Sequence, residues 1–200
     1  YYRTVQYVPQ NTVEIYRDLI RSLVVTYNQG GFLIKNIRCD NEFRPLMDLV
    51  AIDHHINMNY ANPQEHVPEA ERNIRVVKER VRVGYHRLPY NHLPRIMVKY
   101  LVCGAAAKLN FFPAKHGVSK YYSPRMILHQ KNLDYKKDCQ YSIGMYVQGH
   151  DEPNITNTNA SRTLDCIYLR PHSTAQGGHE LLHLATNKVI TRRRVTPIPI

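Results

Sequence analysis

The stretch FLIKNIRCDNEF, residues 32–43, governs how the rest of the chain is read. Phe32 to Arg38 is rich in large apolar side chains and reads as a buried strand, with Asp40 at its C-terminal end. Just upstream, Thr12 is a good N-cap for a helix that carries Val13, Tyr16, Leu19, Ile20 and Leu23 at helical spacing and stops at Gly30-Gly31. Residues 2–8 (YRTVQYV) resemble a strand before it. Downstream, Phe43 to Ile52 reads as a short helix and Ile56 to Tyr60 alternates as a strand does. Alternating strands and helices of this kind build open α/β sheets, and such sheets place active sites at the C-terminal ends of strands. Asp40 is therefore a candidate site residue. A turn residue that caps the following helix is its simpler role.

A long helix opens at Pro68, a favoured first-turn residue, and runs to about Tyr85. Ala70, Ile74, Val77, Val81 and Tyr85 form one stripe, and Glu71, Arg75, Lys78 and Arg82 form a second beside it at spacings of four, three and four. One acid followed by three bases suits a carboxylate that holds a divalent metal while cations hold a phosphate backbone on the same side. A wet face with a Glu71–Arg75 pair is the simpler reading. A second helix is expected from Leu93 to Leu109, a loop from Asn110 to Tyr122, and a short helix capped by Ser123-Pro124 through His129. After Lys137 the character turns to strands: Gln140 to Gln148, Leu164 to Leu169, Leu181 to Ala185 and Val189 to Val195. A polar loop spans Asp151 to Thr163, and turns fall at Gly177-Gly178 and Asn187-Lys188. The expected division is residues 1–118, a linker at 119–137, and a small β-domain at 138–200.

The 200 residues suffice for one ordinary domain or two small ones. Net charge is +11, and from Arg72 to Lys99 there are eight Lys or Arg against one acid, Glu79. Such clustering points to a polyanionic partner, nucleic acid first among them. No apolar run is long enough to span a bilayer; the best, Ile96 to Leu109, is broken by Lys99 and Lys108. Cys39, Cys103, Cys139 and Cys166 form no C-x-x-C pair, which argues against a cysteine zinc site and reads as reduced thiols. The sequons Asn154-Ile-Thr156 and Asn159-Ala-Ser161 read as polar loop.

Taken in order, the motifs resemble one family. Ile37-Arg38-Cys39-Asp40-Asn41-Glu42-Phe43 resembles the D-N-G-G-E-F segment of copia-type retrotransposon integrases without its two glycines, and Ala70-Glu71-Arg72-Asn73-Ile74-Arg75 resembles their A-E-R-x-N-R segment. Glu79 and Leu88-Pro89, then Ala105 to Phe112, Lys115 and Ser123-Pro124, and finally Gly178 to Val195 (GHELLHLATNKVITRRRV) follow in the family's order. The resemblance implies a ribonuclease-H-like α/β core, N-terminally truncated, followed by an SH3-like β-barrel. It also implies an intracellular, nuclear Pol-derived integrase that works as a homo-oligomer on DNA with two magnesium ions. Asp40 would be the second metal-binding acid and Glu71 the third, with Glu65 and Glu69 as near neighbours. Arg72, Arg75, Lys78 and Arg82 would meet DNA. The family's first aspartate has no counterpart, since no Asp precedes Asp18 inside the first helix, so this piece is expected to be inactive by itself.

Two other functions fit parts of the sequence. A non-catalytic DNA-binding module would keep the basic helix and ignore magnesium. His179-Glu180-Leu181-Leu182-His183 matches the H-E-x-x-H of zinc metalloproteases, which requires a helix; the flanking turns predict a strand instead. His54-His55 reads as a surface pair, Phe111-Phe112 as core, Arg192-Arg193-Arg194 as a solvent- or phosphate-facing triplet, and Tyr121-Tyr122 as loop packing or a base-stacking pair.

Overall fold

The computed structural model describes residues 1–62, 67–151, 159, 161–172 and 177–198. The chain is a mixed α/β protein that groups into two compact units: Tyr1–Arg80 with Ala105–Asn132, and Val81–Gly104 with Leu133–Ile200. Most of the Asn154 and Asn159 sequons lies outside the described residues.

The first unit opens on α1 (Val13–Gln29), which begins as the sequence indicates: the Thr12 hydroxyl accepts the Ile15 N–H. At its other end Gly31 turns left-handed at φ 80°, and the Phe32 N–H returns to the Tyr27 carbonyl at 2.9 Å. Phe32 is thus spent in closing the helix, and β1 is only Asn36–Cys39, four residues later than expected. A 3₁₀ turn (Asn41–Leu46) follows. Pro45 inside it lacks the N–H that regular helix needs, and the α-helix α2 (Met47–His54) starts only beyond it. β2 (Asn57–Tyr60) then lies parallel to β1, in register Asn36↔Asn57 through Cys39↔Tyr60. Ile20 and Val24 of α1, Leu46 and Val50, and Ile56 and Met58 form the core, and Tyr16 meets Phe43 edge-on at 4.9 Å.

Residues 2–8 form no strand. Their place is taken by a side-chain clamp: buried Asn110 accepts the Arg3 N–H at 2.8 Å and donates to the Arg3 carbonyl at 2.6 Å, as a neighbouring strand would. α3 (Pro68–His86) and α4 (Arg95–Lys108) lie where predicted, as does α5 (Pro124–His129), which Ser123 caps.

In the second unit, a short α6 (Tyr135–Asp138) precedes five antiparallel strands: β3 (Tyr146–His150), β4 (Thr163–Pro171), β5 (His179–His183), β6 (Lys188–Arg192) and β7 (Val195–Pro197). The strand expected from Gln140 starts only at Tyr146, because a turn closed by the Met145 N–H on the Ser142 carbonyl, with Gly144 at φ 89°, precedes it. The stretch Val189 to Val195 is split into two strands. The order is β6-β5-β4-β3-β7. Its edge strands are joined through Arg193-Arg194 alone, a link that spans at most ~11 Å, whereas the edges of a flat five-stranded sheet would stand ~19 Å apart. The sheet therefore curls. Gly149 marks the inside of the curl, where an added Cβ would sit 2.8 Å from Leu181 Cδ1 and 3.3 Å from Arg192 Cγ. No ladder joins β6 to β7, so the expected barrel is an open, curled sheet.

Both faces of that sheet are packed. Val147, Cys166, Tyr168 and Leu181 form the inner cluster, and Met97 of α4 meets Ile167, Leu169 and Leu182 on the other face. This is why residues 166–169 are buried one after another.

Candidate functional site

Asp40 is the first residue after β1. Its exposed carboxylate accepts the Asn41 N–H at 2.7 Å and its carbonyl accepts the Phe43 N–H at 3.1 Å, so it is the N-cap of the 3₁₀ turn. Parallel β1 and β2 end at the same edge, where the Cys39 carbonyl accepts the Ala61 N–H at 3.0 Å. The first turn of α3 carries Glu69 and Glu71, and Arg38 Nη1 lies 3.8 Å from Glu69 Oε1. That pair brings the start of α3 within side-chain reach of β1. Glu65 lies outside the described residues. Beside Asp40, burial and the aspartate's charge push the Cys39 thiol up, which keeps it protonated and inert at neutral pH. None of the four cysteines forms a disulfide.

Glu71, Arg72, Arg75, Lys78 and Arg82 are all exposed, while the half-buried face of α3 runs through Asn73, Val76, Val77, Val81 and Gly84. The charged stripe therefore faces away from the packed side. The apolar stripe is turned from its expected line, since Ile74 is 53% exposed. The cause is Asn73, which points inward: it accepts from Arg3 Nε at 2.9 Å and donates to the Glu69 carbonyl.

The H-E-x-x-H segment forms β5, so its two imidazoles stand ~13 Å apart along a strand and cannot share a zinc ion as a helical pair would. His179 packs against Tyr141 and Tyr168. Glu180, buried to 7% exposure, anchors a network that sequence reasoning missed. Arg170 donates to both its oxygens, at 2.9 and 3.0 Å, Tyr100 Oη donates at 2.6 Å, and His172 Nδ1 lies 3.1 Å away. Burial alone would push the Glu180 carboxyl up. The hydrogen bonds from Arg170, Tyr100 and His172, with the charge of Arg170, outweigh it and hold the group below its usual value. Burial, then the bond to Glu180, pushes the Tyr100 hydroxyl up to about 12. The only trace of this network in the sequence is an acid in a strand otherwise set for burial.

No group of three His, Cys, Asp or Glu suited to a metal ion occurs among the described residues. No described helix is long and apolar enough to cross a membrane. No model of a known protein family matches the chain, and no curated protein matches it.

Proposed function

We propose that this chain is the later part of a ribonuclease-H-like integrase core followed by an SH3-like β-domain, drawn from a copia-type Pol polyprotein that processes and joins DNA ends in the nucleus as a homo-oligomer. One observation carries the reading: in a parallel β-α-β unit Arg38, two residues before the strand-end Asp40, pairs with Glu69 in the first turn of the helix that bears Glu71. The order of motifs along the chain and the outward basic stripe of α3 support it.

Asp40 and Glu71 are exposed oxygen donors, the type magnesium prefers. As two carboxylates they make a partial donor set, and the family's first aspartate would complete it. Bound magnesium would supply Lewis acidity at phosphorus and a more acidic attacking water or hydroxyl. The chain's own residues would orient: Arg72, Arg75, Lys78 and Arg82 neutralise the phosphate backbone and set its register beside the acids.

A non-catalytic DNA-binding module is the second reading, favoured by the capping role of Asp40. Manganese separates the two. Paramagnetic broadening of the Asn41 and Glu71 amides that disappears in Asp40→Asn supports the metal site; unbroadened signals at both positions support the module.

A further inference from the structure

The first unit contains an apolar cavity of about 160 Å³, walled largely by Tyr1, Tyr2, Tyr27, Phe32, Tyr122 and Pro124. An apolar cavity of ~150 Å³ takes one aromatic ring. Its mouth is unusually apolar for a surface: Tyr122 is 59% exposed and Val118 95%, and Tyr121, next in the chain but outside the lining, is 88% exposed. The two tyrosines are held outward by a built turn, in which the Ser119 hydroxyl accepts the N–H groups of Tyr121 and Tyr122 at 3.1 and 3.0 Å. Hydroxyls edge the cavity as well, and Tyr2 Oη bonds His129 Nε2 at 2.9 Å. A polar cavity lined by Gln29, His129, Gln130 and Lys131 adjoins it, with Leu128 in both walls.

Charge identifies the occupant. Residues 1–80 carry ten acids and ten Lys or Arg, whereas residues 105–132, which build this loop and α5, carry five Lys or Arg and no acid. The whole positive excess of the unit therefore comes from the segment around the cavity. A second copy docked by a two-fold axis would bring the same cations against it and be repelled. Aromatic walls with a cationic surround match an unpaired base with its phosphates.

We infer that this cavity holds one unpaired nucleobase of a single-stranded nucleic acid, with Tyr121 and Tyr122 as stacking faces and Lys115, Lys120 and Lys131 on the flanking phosphates. The inference rests on the nucleic-acid half of the proposed function and needs none of its metal chemistry.

Fluorescence anisotropy of the whole chain with a short labelled deoxyoligonucleotide, single-stranded or as the duplex, tests it. Tyr122→Ala is expected to weaken single-strand binding about tenfold, to leave duplex binding unchanged, and to be rescued by Tyr122→Phe. The exposed Tyr121→Ala should act in the same direction, and circular dichroism of both variants checks that the fold is kept. Tyrosine variants that lower single-strand and duplex binding equally, or neither, overturn the inference, while wild-type duplex binding preserves the wider reading. Loss instead of self-association, or of binding to anionic vesicles, with oligonucleotide affinity intact also overturns it.

Discussion

Arg38, on the strand that ends at Asp40, reaches Glu69 in the first turn of α3, with 3.8 Å between nitrogen and oxygen. The contact links the end of the strand to the start of the helix and gives Glu69 a partner. Both side chains of the pair are largely exposed, at 72% and 60%, so its energetic value is small. Arg38→Ala is expected to shift unfolding by less than ~1 kcal/mol while speeding amide exchange in the first turn of α3. A larger loss in a urea titration would mean that the pair supports more than this local junction.

Asn110 replaces a missing strand partner. Its amide satisfies both backbone groups of Arg3 from a position 3% exposed, so truncation strands a part-buried donor and acceptor. Asn110→Ala should cost ~2 kcal/mol and release residues 1–8 to fast hydrogen exchange. Asn110→Asp, which keeps the acceptor and loses the donor, should fall between.

The curl of the sheet is sensitive at Gly149. A methyl group there must displace Leu181 and Arg192 together, so Gly149→Ala is expected to destabilise the second unit by ~1–3 kcal/mol. An unchanged denaturant midpoint would show that the strands approach less closely than this geometry requires.

Glu180 makes the second unit acid-sensitive. Its folded pKa is depressed, so its contribution is present above the unfolded value of about 4.5 and is lost as pH falls through the lower folded value. Tyr100 acts at the opposite end: its folded pKa of about 12 exceeds the ordinary 10.0, so its contribution is full below 10 and disappears as pH rises through 12. Glu180→Gln should cost ~2 kcal/mol at neutral pH and flatten the acid limb of a stability–pH curve followed by circular dichroism. Acid sensitivity unchanged by the substitution would place its origin elsewhere.

Local signals read well from sequence. Thr12, Gly30-Gly31, Pro68 and Ser123-Pro124 mark helix ends through their own backbone chemistry, and each lies at or beside a helix end in the structure. The strand at residues 164–169 was legible because packing on both faces leaves the unbroken apolar run Cys166–Leu169. The H-E-x-x-H segment was legible as a strand from its flanking turns.

What failed depended on distant partners. Residues 2–8 form no strand, and Asn110, more than a hundred positions away, takes both backbone hydrogen bonds of Arg3. Asn73 turns the apolar face of α3 through its bond to Arg3. The open sheet, the Glu180 network and the tyrosine-walled cavity are all products of tertiary approach, which periodicity does not encode. Asp40 was legible as a strand-end residue, and its cap on the following turn as the simpler of its two sequence roles.

The most direct test is strand transfer on a labelled duplex with magnesium, comparing this 200-residue chain, a version extended upstream to add the strand bearing the first acid, and that version carrying Glu71→Gln. The account predicts joined product from the extended wild type alone. An extended protein that binds the duplex yet neither cuts nor joins it, or one whose Glu71→Gln form stays fully active, would contradict the account.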